Sequence, residues 1–149
     1  MTVSRGPEPG GKLLVADIGG TNARFAWQAA AGAPLTDIRV LPCADYPTLQ
    51  DATRAYLDGL GRGTPHAAAI AIANPITGDQ IRMTNHRWSF SQAAVKVEFG
   101  FDVLRLLNDF TALALALPDL PAHELRQVGG GAPQPQAPMA LLGAGTGLG

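Results

Sequence analysis

The chain has 149 residues, of which 46% are hydrophobic and 15% charged, a composition typical of a globular protein rather than a disordered one. Eleven basic and twelve acidic residues leave a net charge of −1 without a basic stripe, which argues against a nucleic-acid partner. The lone Cys43 excludes an internal disulfide, and no secretory signal or membrane-spanning run is recognisable, so we expect a cytoplasmic protein without membrane association.

The first half of the chain predicts three strands and a helix. After a flexible leader at residues 1–11, "KLLVADIGG" is typical of a buried strand, and "ARFAWQAA" of the strand that returns beside it after a reversal at residues 19–22. A third strand is predicted at "LTDIRVLPC". Thr48 is a suitable N-cap for a helix over "LQDATRAYLDGL", whose apolar residues share one face and which Gly59 and Gly61 end.

The next segments continue the alternation of strands and helices. "HAAAIAIAN" predicts a buried strand that the Asn-Pro pair at 74–75 stops. "TGD" predicts a hairpin turn between Ile76 and Ile81, with "QIRMTN" as the return strand. Ser91 can cap a short helix over "QAAVKVEF", which Gly100 closes.

The end of the chain predicts a strand, a helix, a linker and the start of another strand. These segments are "DVLRLL", "FTALALAL" up to Pro118, "GGGAPQPQAP" and "MALLG". The order of elements indicates an α/β fold with a mixed sheet flanked by helices. We therefore expect a small N-terminal domain at 12–117, a linker at 118–137 and the first strand of a second α/β domain at 138–149.

A glycine-rich turn follows the first strand. Asp17 lies near the end of that strand, where a buried carboxylate needs a partner or a metal. The Gly-Gly-Thr-Asn at 19–22 offers N–H groups, a hydroxyl and an amide to phosphate oxygens, although it lacks the ending of a Walker A loop. A tight hairpin with local hydrogen bonds explains the same residues and is slightly favoured by spacing alone. "GAGTGLG" is a second such turn, and together the two suggest phosphates clamped between two domains.

Two polar segments are candidates for a substrate site. Asn108 and Asp109 follow a strand, at the edge where α/β sheets place their sites. Asp109 either caps the next helix or serves as a general base beside Asn108, and the two interpretations are compatible. "MTNHRWSF" places Asn85 near Trp88, which suggests either a sugar site or a surface loop anchored by the indole. The three histidines are too scattered for a metal site.

Four segments together resemble the bacterial glucokinase family, in the superfamily of hexokinases, actin and heat-shock ATPases. They are "DIGGTNARFAW", "ANPITGDQIRMTNHRWSFS", "LLNDFTALALALP" and "GAGTGLG", spread over nearly all of residues 12–149. The resemblance implies an actin-like (ribonuclease H-like) ATPase fold. It also implies ATP-dependent phosphorylation of glucose at its 6-hydroxyl, at the entry to glycolysis, with ATP, Mg²⁺ and glucose bound, and it allows a homodimer when full length.

The resemblance also implies roles for individual residues. Asp109 would be the catalytic base, Asn108 and Asn85 would bind the sugar with it, and Asp17 would hold Mg²⁺ through water. The nucleotide-binding residues would be Ala16, Asp17, Ile18, Gly19, Gly20, Thr21 and Asn22 in the first loop, and Gly145, Thr146 and Gly147 in the second.

Two further expectations concern the length of the chain and the alternative functions. Members of that family are longer, so we expect this chain to be the N-terminal part of a two-domain kinase and inactive alone. The alternative is a non-catalytic sugar-binding protein, or a sugar-responsive regulator, on the same kinase fold. Asp109 and both glycine turns favour the enzyme.

Overall fold

The structure, a computed structural model, describes residues 11–143. Its helices and strands in chain order are β1 Leu13–Ile18, β2 Asn22–Gln28, β3 Leu35–Pro42, α1 Leu49–Leu60, β4 Ala67–Ile72, β5 Gln80–Arg82, β6 Ser89–Ser91, α2 Gln92–Phe99, β7 Val103–Asn108 and α3 Asp109–Ala116. The predicted leader and the second glycine turn lie outside the described residues, apart from Gly11 and Gly143 beside them. No helix within 11–143 has the length and hydrophobicity needed to cross a bilayer.

A five-stranded sheet in the order β3-β2-β1-β4-β7 organises the first part of the chain. The β1–β2 and β2–β3 pairs are antiparallel, whereas β4 runs parallel to β1, and β7 runs parallel to β4. The parallel pairs need crossover connections, and these contain α1 and α2. The prediction of a mixed sheet flanked by helices is confirmed.

One face of this sheet carries the hydrophobic core. In β1 the side chains of Leu14, Ala16 and Ile18 are buried, whereas the alternate ones are half-buried or exposed, as the period of two predicts. The ring of Phe25 in β2 stacks on Tyr56 of α1, with ring centroids 5.1 Å apart. The core therefore joins the sheet to α1, and it leaves the ends of the strands to loops.

Helix α1 forms where the sequence predicts it. The Thr48 hydroxyl accepts a hydrogen bond from the Asp51 N–H at 3.1 Å, and Gly61 ends the helix in the left-handed region, with φ of 62°. The expectation that Gly59 also ends the helix is wrong, because Gly59 lies within its last turn. A glycine inside a helix is tolerated at a modest cost, so its presence alone does not mark a terminus.

The predicted hairpin around residues 77–79 is wrong. The strand Gln80–Arg82 pairs with Ser89–Ser91 and not with the chain near Ile76. The physical reason is that the predicted turn is used elsewhere: Asp79 O and Gly78 O accept hydrogen bonds from Gln92 at 3.0 and 2.7 Å. The turn thus belongs to the start of α2, which brings β6 beside β5.

Asp79 provides a second cap for helix α2. Its Oδ1 accepts from the Ala93 N–H at 2.8 Å and its Oδ2 from the Ser91 hydroxyl at 2.6 Å, while Ser91 itself accepts from the Ala94 N–H at 3.0 Å. These hydrogen bonds, that from Ser91 foremost, lower the pKa of Asp79. The ionised carboxylate is therefore the form that stabilises the folded state.

This cap predicts a pH-dependent stability. Because the folded-state pKa is lowered, the contribution is complete above the unfolded pKa of about 3.9 and is lost as the pH falls through the folded value. We expect Asp79→Asn to lower the midpoint of urea unfolding at pH 7, and the difference from the wild type to shrink as the pH falls below the unfolded pKa. Asp45→Asn serves as the control, since the side chain of Asp45 is exposed and has no hydrogen bond or ion pair within residues 11–143. A difference that persists unchanged at pH 2 would contradict the ionic cap.

The described chain divides into two compact units, residues up to Asp109 and residues from Phe110. In the second unit α3 continues to Ala116, and residues 125–143 form neither helix nor strand. The strand predicted at "MALLG" is therefore not formed over its described part, residues 139–143, because no strand within 11–143 pairs with it. The domain boundaries predicted from the sequence stay predictions.

Candidate functional site

Three parallel strands end at the same edge of the sheet. The register pairs Ile18 with Ile72 and Ile72 with Asn108, so the last residues of β1, β4 and β7 form one row. The glycine loop 19–22, the segment 73–74 and the residue after Asn108 therefore leave the sheet side by side. This carboxyl edge is where α/β sheets usually bind ligands.

The first glycine loop is a tight turn with exposed N–H groups. The Gly19 N–H donates to Asn22 O at 2.9 Å, and Cys43 anchors the loop by donating from its N–H to Thr21 O at 2.8 Å and from its thiol to Gly19 O at 3.5 Å. Burial raises the pKa of the Cys43 thiol, which keeps the proton that this contact uses. The N–H groups of Gly20 and Thr21 have no hydrogen-bond partner within residues 11–143.

Asp17 borders an open cavity of about 280 Å³ beside this loop. The expectation that it is buried is wrong, because its side chain lies on the sheet face opposite the core and is 56% exposed. Its Oδ2 is 3.2 Å from Nη1 of Arg24, which stands opposite it in the β1–β2 register. Arg24 was not among the residues predicted from the sequence, although pairing the two predicted strands from their short reversal would have placed it there.

The other two residues predicted from this strand lie in the core. Ala16 is 4% exposed and Ile18 is fully buried. Their side chains therefore lie in the core and do not line the cavity, so only their main-chain atoms can contribute to binding at this edge.

Gly20 lies against Asn85. A Cβ added to Gly20 would come within 2.9 Å of both the Cβ and the carbonyl oxygen of Asn85. Only a residue without a side chain permits this approach, and φ at Gly20 is not positive. The structure thus brings Asn85 beside the first glycine loop, two candidate segments that lie far apart in the sequence.

The indole of Trp88 anchors the loop that carries Asn85. Trp88 is 1% exposed and donates from Nε1 to Tyr46 O at 3.0 Å, and its ring is in T-shaped contact with that of His86. Trp88 is thus the core anchor that one interpretation of this loop expects, and the sugar-binding role of Asn85 stays a prediction. The indole face is therefore not available as a sugar platform, whereas Asn85 itself is exposed.

Asn108 and Asp109 form a connected pair at the same edge. The Asn108 amide donates to Oδ1 of Asp109 at 2.9 Å and to the main-chain oxygen of Asn74 at 3.4 Å. Helix α3 starts at Asp109 itself, one residue before the predicted start. A carboxylate in the first turn is favoured by the helix dipole, which helps to hold it at this position.

Asn74 is a buried polar residue at this edge that was not among the predicted site residues. It is 8% exposed, and its Oδ1 accepts from the Thr84 N–H at 2.9 Å and from the Thr84 hydroxyl at 2.7 Å. From the sequence it indicates only where β4 stops. The available signal was an amide side chain next to the end of a buried strand, the same signal that identified Asn108.

Other parts of the described chain are weaker candidates. Within residues 11–143 no three His, Cys, Asp or Glu side chains lie close enough to hold a metal ion. A cavity of about 410 Å³ lies between α1 and α2, lined by residues that include Arg54 and its ion-pair partner Glu98. None of the predicted site residues lines it. Gly145, Thr146 and Gly147 lie outside the described residues.

Comparison with known proteins places these features in one family. A family model described as Glucokinase matches residues 14–149. A glucokinase from Chromobacterium violaceum is 58% identical over 136 residues, which are 91% of this chain and 39% of that protein. A glucokinase from Neisseria meningitidis is 50% identical over 149 residues, 100% of this chain and 45% of that protein. The chain thus spans less than half the length of these relatives.

A solved structure supports the same assignment. The crystal structure of a glucokinase from an Antarctic psychrotroph superposes with a TM-score of 0.70 and 42% sequence identity, over 75% of this chain and 36% of that one. The predicted actin-like sugar-kinase fold is confirmed. From the family match over residues 14–149 and these relatives, the chain belongs to the glucokinase family.

Proposed function

We propose that this chain supplies the sugar-binding and first phosphate-binding edge of an enzyme that transfers the γ-phosphoryl group of ATP to the 6-hydroxyl of glucose. One observation carries the proposal. The glycine loop, Asn85 and the Asn108–Asp109 pair, which the family resemblance assigns to phosphate, sugar and proton transfer, meet at the aligned ends of three strands.

Asp109 is the proposed general base. Its carboxylate would accept the proton of the 6-hydroxyl as that oxygen attacks the γ-phosphorus, with ADP as the leaving group. The Asn108 amide at 2.9 Å from Oδ1 restricts the rotation of the carboxylate. We propose that this restraint holds the carboxylate in an orientation that suits proton transfer from the hydroxyl.

The proposed sugar contacts are Asn85 and Asn108 together with Asp109. Amide side chains suit sugar hydroxyls because they both donate and accept hydrogen bonds. The proposed phosphate contacts are the N–H groups of Gly20 and Thr21, since they border the cavity and lack partners within residues 11–143. Gly145, Thr146 and Gly147 are proposed to serve phosphate in the same way.

Asp17 is the residue that fits Mg²⁺. Its carboxylate is an oxygen ligand of the kind Mg²⁺ prefers, it is exposed, and it borders the same cavity as the glycine loop. Contact through water suits the geometry, because Arg24 already lies 3.2 Å from Oδ2. Mg²⁺, when bound, would offset charge on the phosphates of ATP.

The remaining assignments rest on the family resemblance and on the composition and charge of the chain. We propose ATP and glucose as the substrates, a place at the entry to glycolysis, and a cytoplasmic location, where both substrates are present. We propose no nucleic-acid or membrane partner and a homodimer for the complete enzyme.

A hybrid enzyme tests the proposal. Residues 14–149 would replace the matching segment of the Chromobacterium violaceum glucokinase, to which this chain is 58% identical over 136 residues. We expect ATP- and Mg²⁺-dependent formation of glucose 6-phosphate in a coupled assay. A hybrid that folds and binds glucose without turning it over would contradict the catalytic assignment and support a sugar-binding protein instead.

A further inference from the structure

We propose that Asn74 is a positioning residue that aligns the sugar-binding Asn85 with the Asn108–Asp109 pair. This inference rests on the proposed function, because it concerns the same site. Asn74 and Thr53 are the buried polar residues of the described chain, and Thr53 bonds only within its own helix, to Leu49 O. Asn74 instead bonds to segments on either side of it at the site.

The side chain of Asn74 is hydrogen-bonded to the loop that carries Asn85. Its Oδ1 accepts two hydrogen bonds, from the N–H of Thr84 at 2.9 Å and from the hydroxyl of Thr84 at 2.7 Å, which occupy both lone pairs. Its Nδ2 donates to Pro75 O at 3.1 Å. A buried amide with these partners has one favourable orientation, so it determines where the main chain of Thr84 lies.

The main chain at Asn74 is held at the end of the sheet by hydrogen bonds. Its N–H donates to Ile72 O at 2.7 Å, and the preceding N–H, that of Ala73, donates to Ile18 O at 3.1 Å. The Ala73 bond extends the β1–β4 ladder past the end of β4, and the Asn74 bond closes a tight local turn directly after it. The carbonyl of Asn74 then accepts from the Asn108 amide at 3.4 Å.

These contacts make one connected path across the site. Asn85 follows Thr84 and lies against Gly20, while Asn108 links the Asn74 carbonyl to Oδ1 of Asp109. The distance between the sugar contact of Asn85 and the proposed base therefore depends on Asn74. Reactions of this kind are sensitive to such distances, because a displacement of 1 Å can lower a rate by about 100-fold.

Thr84→Val is the most informative variant. It removes the hydroxyl that donates to Asn74 but keeps the N–H bond and the shape of an exposed side chain. In the hybrid enzyme we expect the KM for glucose to rise about fivefold, which corresponds to the loss of one hydrogen bond, with little change in the KM for ATP. Thr84→Ser keeps the hydroxyl and should restore the wild-type KM.

Thr77→Val is the matched control. Thr77 is exposed on the same connection between β4 and β5 and has no hydrogen bond within residues 11–143, so its replacement should leave both KM values unchanged. Asn74→Ala removes the whole side chain, and we expect it to lower kcat/KM for glucose about 100-fold. If Asn74→Ala does not fold, the KM values of Thr84→Val and Thr77→Val for glucose test the positioning role of Asn74 by themselves.

A measurement on the 149-residue chain separates this proposal from the proposed function. In ¹H–¹⁵N spectra, Thr84→Val should shift the side-chain amides of Asn74 and Asn108, and Thr77→Val should shift neither. An inactive wild-type hybrid would overturn the proposed function, and these spectra would still test the positioning role. An active hybrid in which Thr84→Val and Thr77→Val behave alike, or spectra in which neither amide moves, would overturn the role of Asn74.

Discussion

Replacing Asp109 with asparagine should lower kcat for glucose phosphorylation in the hybrid enzyme by about 10²–10⁴-fold, the usual contribution of a general base. The amide has the shape of the carboxylate and can still meet Asn108, which now donates to Asp109 Oδ1 at 2.9 Å. It cannot accept the hydroxyl proton. We expect the affinity for glucose to change much less than kcat, which steady-state kinetics and a glucose titration would measure.

Asp119→Asn is the control for this prediction. Asp119 is exposed in a short 3-10 turn ten residues further along, and its side chain has no hydrogen bond or ion pair within residues 11–143. The same change of charge there should therefore leave kcat unaltered. If Asp109→Asn retains near wild-type turnover, Asp109 only stabilises the start of α3. That outcome would leave the proposed reaction without a base.

The parts of the fold that local physics determines were predictable from the sequence. Alternating burial in β1, the Thr48 cap and the Gly61 terminus of α1, and the Ser91 cap of α2 all depend on residues within a few positions of one another. The mixed sheet then followed from the order of the elements. The register that aligns the ends of β1, β4 and β7 could not be predicted from that order, because it depends on pairing between distant strands.

The failures also have physical reasons. The hairpin at 77–79 has the residues of a turn, but the capping bonds of Asp79 to α2 draw the chain toward β6 instead. The exposure of Asp17 depends on which sheet face is covered, and a near-continuous apolar strand does not indicate this. The strand expected at 139–143 has no partner within the described residues.

The candidate site also has features that were predictable from the sequence and features that were not. Asn85, Asn108 and the glycine loop were identifiable because each is a group of polar or glycine residues next to a strand. Their proximity was not identifiable, since it requires the contact of Gly20 with Asn85 and the buried amide of Asn74. A buried asparagine is hard to recognise from sequence because an exposed turn uses the same residue.

Gly20→Val is expected to disturb both substrates of the proposed reaction. The new Cβ would lie 2.9 Å from the main-chain oxygen of Asn85, which cannot move aside as the end of a flexible side chain could. We expect the free energy of unfolding of the 149-residue chain to fall by about 1–3 kcal/mol, the usual cost of overpacking, as measured by urea unfolding. In the hybrid enzyme the KM for ATP should rise because the added methyl groups stand beside the N–H groups proposed for phosphate. The KM for glucose should rise because Asn85 is displaced.

Gly78→Val isolates the cause of this effect. Gly78 is an exposed glycine without a positive φ, and a Cβ added there meets nothing within 4 Å. The substitution removes the same backbone freedom from the unfolded chain, so its effect on stability should stay within about 0.5 kcal/mol and both KM values should be unchanged. Equal losses in the two variants would mean that any β-branched residue is harmful in these loops, and the contact of Gly20 with Asn85 would then have no part in the site. A rise in the KM for ATP alone would retain the phosphate role of the loop but remove its connection to the sugar.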